Sequence, residues 1–359
     1  MHKRALPLAA MLTLSFAGCT GEPGENGIQG PRGTDGVDGN VGDPGPDGEM
    51  GEDGEDGMQG PPGPSGSGSG VTEIPLFGEF FYPEGVASAP DGTLYVGSLG
   101  TGEVVRVAPG ASKPEAFIGA GMDTYGAVGM LVDVAADTLW VCAIDLDSFM
   151  LPAQLKSHNL ATGQETGSYP IPGGGFCNDM AVDGSGNLYV TDSFLGVILR
   201  LPAGGADLAV WASDPLFTVP VGEFGLNGIA WDGTDLWACN SFTGGLYHLA
   251  INGDGSSGAV TDIVLDFPLL GPDGMKAIAP GELVVVDNGG TPVTSGVRHV
   301  IVTNDTGVAK TLRNGLDGPT TGDIAFGDMW VAEGQFDHLF GTDPNPPDLP
   351  FKVKRVALP

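Results

Sequence analysis

The sequence predicts an all-β fold, a six-bladed β-propeller preceded by a collagen-like Gly-X-Y stalk. Three observations carry this prediction. First, one phrase occurs six times between residues 83 and 359, with 45 to 49 residues between successive starts. It reads as a short apolar strand, a Gly-rich turn, a second apolar strand and a polar tip. A period of that size with several strands per unit means a propeller, because one small sheet cannot bury both faces alone and radial stacking does so. Second, Tyr95, Trp140, Tyr189, Trp237 and Trp330 hold one phase of the repeat, which suits packing between blades. Third, every third residue from Gly21 to Gly66 is glycine, and only glycine fits at the axis of a collagen triple helix.

Taken in order, residues 1–19 read as an export signal. His2, Lys3 and Arg4 form a basic end and residues 5–16 an apolar core, too short to span a bilayer as a permanent helix. Ser15-Phe16-Ala17-Gly18-Cys19 resembles a bacterial lipobox. That resemblance implies lipidation of Cys19, and Thr20 after it implies the outer membrane or cell surface of a bacterial envelope. A plain secretory signal is the alternative. Residues 20–70 form the Gly-X-Y stalk and a Gly/Ser linker. The stalk implies three chains and could reach about 140 Å. It carries eleven acidic residues and one arginine, Arg32, so three parallel copies would repel one another. The alternative is an extended acidic spacer.

The propeller is expected over residues 71–359. The clearest repeat starts Asn178-Asp179-Met180 and passes through Asp183-Gly184 to Leu188-Tyr189-Val190-Thr191-Asp192-Ser193. Its four strands are expected at 179–182, 188–192, 197–201 and 207–211. Residues 71–77 stand before the first repeat and are expected to supply the outermost strand of the sixth blade, closing the ring and removing an open edge. Three long loops, 144–154, 287–297 and 333–349, are expected to wall the channel entrance. His338, in the last of them, is a weak candidate for contacting substrate.

The chain carries 45 Asp plus Glu against 14 Lys plus Arg. This argues against a nucleic-acid partner and suits attraction of cations. Cys142, Cys177 and Cys239 fall in three different repeats, and buried thiols are expected.

The first residue of each repeat lies where an innermost strand meets the central channel. Blade by blade it is Glu84, Gly129, Asn178, Asn227, Asp273 and a Thr321-Gly322 pair. Two carboxylates and two amide carbonyls aimed at one axis suit Ca²⁺ or a similar hard divalent cation. Asn-Gly and Asp-Gly are also ordinary turn dipeptides, and a purely structural ion would use the same donors.

Pro83-Glu84-Gly85, Cys177-Asn178-Asp179, Leu226-Asn227-Gly228-Ile229 and Pro272-Asp273-Gly274-Met275 resemble the senescence marker protein (regucalcin) and gluconolactonase family. The resemblance covers residues 71–359. It implies a six-bladed propeller with one divalent cation in its channel, and in many members lactone hydrolysis. By resemblance Glu84, Asn227 and Asp273 are metal ligands, Asn178 a ligand or substrate contact, and Asp273 the catalytic carboxylate. Where sugar-lactone enzymes of the family often place an arginine, this chain has Phe176, which puts gluconolactone in doubt and makes Phe176 an apolar substrate contact. The expected function is a surface-anchored, metal-dependent hydrolase, a lactonase or esterase. The alternative is a non-catalytic propeller that binds a ligand or partner from its stalk.

Overall fold

In the third repeat four antiparallel strands, Cys177–Val182, Leu188–Asp192, Val197–Leu201 and Ala209–Ser213, pair in chain order in this computed structural model. The second of them explains why the sequence forms a sheet buried on both faces. Side chains alternate across a strand. Leu188 and Val190 pack with Cys142 and Leu155 of the preceding repeat, whereas Tyr189 packs with Ile229 and Leu236 of the following one. Burying a side chain of this size stabilises by about 1.5–3 kcal/mol. Tyr95, Tyr189, Trp237 and Trp330 are all buried at blade interfaces.

The structure describes residues 70–120, 125–146, 151–289, 291 and 293–359. The chain divides into two units, Met1–Pro61 and Pro62–Pro359, and every described residue belongs to the second. The signal segment with Cys19 and the Gly-X-Y stretch lie outside the described residues.

The described residues form six blades. Blade 1 is Pro83–Ser88, Leu94–Ser98, Val104–Val107 and Glu115–Ile118. Blade 2 is Tyr125–Asp133, Thr138–Asp145, Gln154–Asn159 and Glu165–Pro170. Blade 3 is the sheet above. Blade 4 is Leu226–Trp231, Leu236–Asn240, Gly245–Ile251 and Ser257–Asp262. Blade 5 is Pro272–Ala279, Glu282–Asp287, Gly296–Thr303 and Thr306–Asn314, edged by the short parallel strand Val264–Leu265. Blade 6 takes three strands from the end of the chain, Pro319–Ala325, Asp328–Glu333 and Lys352–Ala357, and its outermost strand, Glu73–Pro75, from the start. Ile74 opposite Val353 seals this clasp, and both are buried with Phe351 and Trp330. The ring thus closes as the sequence predicts.

Each inner strand touches the next, and the sixth touches the first, so the six enclose one axis. In all six blades the pairing of the inner strand slips near its start: between Pro83 and Val86, Ala127 and Met130, Cys177 and Met180, Leu226 and Ile229, Pro272 and Met275, and Pro319 and Gly322. Such a bulge frees residues from the ladder and re-aims their side chains. The Asn-Gly and Asp-Gly pairs are therefore bulge residues inside strands, not turns. Their glycines permit close approach of neighbouring inner strands. A Cβ on Gly228 would lie 2.2 Å from the Asp273 carbonyl oxygen, and one on Gly85 2.3 Å from that of Val128.

One expectation is overturned. Cys142 and Cys177 are not thiols but a disulfide, with Cα atoms 5.3 Å apart, and among the described residues Cys239 alone is a free, buried thiol. The second strand of blade 2 and the inner strand of blade 3 face each other across one core cluster. Radial stacking therefore joins cysteines from different repeats that the linear spacing of 35 residues does not connect. Closing a loop of this length stabilises by roughly 3–4 kcal/mol.

Candidate functional site

The bulges bring the first residues of the repeats to one end of the ring. Glu84, Asn178 and Asn227 are buried there, and Asp273 is half-buried. Glu84 Oε2 and Asn178 Oδ1 are buried without a hydrogen-bond partner. Such an atom is costly unless something else satisfies it.

The two amides are oriented by serines at the tips of second strands. Ser193 Oγ donates to the Leu226 carbonyl (2.6 Å) and so must accept from Asn178 Nδ2 (2.9 Å). Ser241 Oγ likewise donates to the Pro272 carbonyl (2.7 Å) and accepts from Asn227 Nδ2 (2.9 Å). With its nitrogen held by Ser193, the Asn178 amide keeps its oxygen without a partner. The bulged strands leave carbonyls without ladder partners, and side chains supply them. Thr191 Oγ1 donates to the Asn227 carbonyl (2.6 Å), Cys239 Sγ to that of Asp273 (3.1 Å) and Thr320 Oγ1 to that of Glu84 (3.0 Å). Every bond but the two to the amide nitrogens ties one blade to the next.

The electrostatics are those of crowded, desolvated carboxyls. Burial first, then the facing Asp273 and Asp179, pushes Glu84 well above the usual carboxylate range. Burial and Asp179 do the same to Asp273, against a hydrogen bond from Asn227. Burial also raises Asp179, with Lys276 and the amides of Met180 and Ile229 pulling the other way. For Lys276 burial would lower the pKa, but Asp323, Asp179 and Glu84 outweigh it and hold the ammonium charged. Three carboxyls, Asp323, Asp179 and Glu84, thus share one built-in cation. A hard divalent ion would offset the remaining charge, and the donor set is oxygen throughout.

The sequence names Glu84, Asn178, Asn227 and Asp273 as candidates, and the structure places all four near the starts of neighbouring inner strands. Sequence reasoning missed Asp179, Lys276 and Asp323, which follow the repeat start by one to three residues, and the serines Ser193 and Ser241. The serines had a legible signal, since both occupy the polar tip of the repeated phrase. Phe176 lines a cavity at the same end of the blades. His338 lies in the short helix Phe336–Leu339 of the loop after Glu333. Its Nδ1 donates to the Asn345 carbonyl (2.9 Å), and its Nε2 is 3.9 Å from Asp337. Those contacts lie within its own loop, and no hydrogen bond among those described joins His338 to the channel residues.

These features define a six-bladed propeller with an oxygen-lined axial site, the fold of gluconolactonase-like propellers. Among solved structures, the chain is similar to a gluconolactonase from Xanthomonas campestris, at 17% identity, with 81% of this chain and 91% of that one covered and a TM-score of 0.56. A luciferin-regenerating enzyme matches at 14% identity over 80% of this chain and 95% of that one, with a TM-score of 0.56. Virginiamycin B lyase from Staphylococcus aureus matches at 13% identity over 80% and 98%, with a TM-score of 0.51. Different chemistries share this one fold, so the likeness establishes architecture alone. The collagen triple helix repeat family matches residues 16–71. No curated protein matches the chain.

Proposed function

We propose that the chain is a surface-anchored, divalent-metal-dependent hydrolase that opens a lactone or a related ester. The observation that supports this most is the pair of buried, unpartnered oxygens, Glu84 Oε2 and Asn178 Oδ1, in a ring with Asn227 and Asp273. Glu84, Asn178, Asn227 and Asp273 would hold Ca²⁺ or another hard divalent cation, which supplies Lewis acidity toward an acyl oxygen and acidifies bound water.

The remaining steps belong to the protein. Asp273 is a carboxylate whose proton affinity is raised by burial and by Asp179, which suits a general base. Water adds its oxygen to the acyl carbon and gives a proton to Asp273. The ring C–O bond breaks, the departing alkoxide takes that proton, and a hydroxy acid leaves with Asp273 restored. Ser193 and Ser241 keep the amide oxygens of Asn178 and Asn227 turned to the axis. Phe176 excludes water beside the acyl group.

Lipidation at Cys19 would place the enzyme at the outer membrane or cell surface, and residues 21–66 would assemble three copies through a triple helix. The Gly-X-Y segment also favours a second reading, a stalk-mounted propeller that binds without turnover. A screen of lactones, aryl esters and phosphotriesters with and without Ca²⁺ separates the two. Ca²⁺-dependent turnover is expected; Ca²⁺ binding with no turnover across the screen would favour display.

A further inference from the structure

A cavity of about 230 Å³ opens where blades 2 and 3 meet, at the end of the blades that carries the inner-strand starts. Its walls include Ile144, Leu151, Pro152, Phe176 and Phe194. Among the described residues Asp145 is the one charged wall residue, and its carboxylate accepts the Leu151 amide (3.1 Å). Pockets that take whole drug-sized ligands run from about 300 to 1,000 Å³, so this one suits part of a molecule, a single ring.

Phe176, Phe194 and Phe224 form a mutually touching trio, with centroids 5.0 to 5.2 Å apart and the Phe176 and Phe224 rings edge-to-face at 88°. Phe176 is 7% exposed, yet Phe194 and Phe224 each keep 40% of their surface in water. The trio is held by its backbone. The Phe176 and Phe194 amides both donate to Asp192 Oδ1 (3.0 and 3.1 Å), and a Cβ on Gly175 would collide with the same carboxylate at 1.6 Å. Rings held in place in this way lose little freedom when another ring joins them. Phe176 in the cavity wall stands two residues before Asn178 of the channel set.

We infer that this cavity is a subsite for an aromatic ring of the substrate, so that the substrate class is an aryl-substituted or ring-fused lactone or ester rather than a polyhydroxylated sugar lactone. The inference rests on the hydrolase reading for the reaction, and on the cavity alone for the ring. An aromatic ring gains offset or edge contacts with Phe194 and Phe176. The several hydroxyls of a sugar would instead lose water against Ile144, Leu151, Pro152, Phe176 and Phe194, with the Asp145 carboxylate able to receive only some of them.

The test uses the full chain loaded with Ca²⁺. Binding of 3,4-dihydro-2-quinolinone, the lactam that cannot hydrolyse under assay conditions, is measured by calorimetry. Turnover of dihydrocoumarin and of glucono-δ-lactone is measured beside it. Variants are Phe194→Ala and Leu151→Arg, both at partly exposed positions, with circular dichroism and Ca²⁺ affinity as controls for folding. The lactam should bind the wild type. Phe194→Ala should weaken that binding about tenfold, in the range that a lost apolar contact in a pocket gives. KM for dihydrocoumarin should rise in parallel, and Ca²⁺ affinity should not move. Lactam binding that either fails in the wild type or is indifferent to both variants overturns the subsite, even if turnover is found. Lactam binding that depends on Phe194 without turnover of either lactone keeps the subsite and removes the hydrolase reading. Faster turnover of glucono-δ-lactone than of dihydrocoumarin overturns the substrate class.

Discussion

Acidic residues lie at both ends of the ring of inner strands, and the two ends differ in kind. At one end, Asp183 and Asp232 sit in the turns between first and second strands. Burial would raise both, but hydrogen bonds win and hold them low. Asp183 accepts from Asn187, Tyr189 and Ser185, and Asp232 from Asp235, Trp237, Gly281 and Thr234. At the other end, Glu84 and Asp273 are pushed well up by burial and by other carboxyls, and Glu84 keeps an oxygen with no partner. The first set is complete within the protein and serves the fold. The second keeps unpartnered oxygens, Glu84 Oε2 and Asn178 Oδ1, and on the reading proposed above a divalent cation would complete it.

The sharpest way to break this contrast is at Asp273. Asp273→Asn keeps an oxygen donor but cannot accept a proton, so at saturating Ca²⁺ kcat should fall about 10²- to 10⁴-fold while part of the metal affinity survives. Steady-state kinetics on a chromogenic lactone or aryl ester measures it. An Asp273→Asn enzyme as fast as wild type would remove Asp273 as the base.

The next effect is on stability. Ca²⁺ at a hundred times its dissociation constant should add about 2.7 kcal/mol by linkage, and Glu84→Gln should lose most of that gain. The sign with pH follows from the raised carboxyls. In metal-free protein the folded state holds protons that the unfolded chain releases, so stability should fall as pH rises from the ordinary carboxylate range through the raised folded values. Ca²⁺ should cancel that slope. Thermal melts in chelator and in Ca²⁺ across pH 4 to about 8 read both.

Asp232 should behave in the opposite sense. Its folded pKa is depressed, so its contribution is present above the unfolded value and lost as pH falls through the folded one. Asp232→Asn should cost about 1.5–2 kcal/mol near neutrality, flatten the acid limb of the stability curve and leave Ca²⁺ affinity unchanged. Altered metal binding in that variant would blur the distinction between the two ends.

The smallest effect is expected at Ser193. Removing its hydroxyl frees the Asn178 amide to rotate, at about 1 kcal/mol, or roughly fivefold in Ca²⁺ affinity. Ser193→Thr keeps the hydroxyl and should recover most of it. A purely structural serine would shift the melting temperature without moving the metal titration.

The sequence made the fold legible because its period survives in Leu188-Tyr189-Val190 and its five counterparts, and because residues 71–77 stand outside any repeat. The gathering of Glu84, Asn178, Asn227 and Asp273 at one end of the ring was legible because oxygen donors recur at one position of the repeat. Other features depend on distances between repeats, which linear spacing does not encode. The Cys142–Cys177 bond needs blade 2 to face blade 3. Lys276 meets Asp179, Asp323 and Glu84 only after the ring closes. Asn227-Gly228 reads equally well as a turn until the pairing slip between Leu226 and Ile229 places it inside a strand.

The central claim is that Glu84, Asn178, Asn227 and Asp273 together hold one hard divalent cation. Calorimetric titration of the metal-stripped full chain with Ca²⁺, beside elemental analysis of the protein as purified, tests it directly. The account predicts one equivalent per chain in the wild type and a much weaker or lost site in Glu84→Gln. A wild type that binds no equivalent, carries no metal when purified and melts identically in Ca²⁺ and chelator would contradict it.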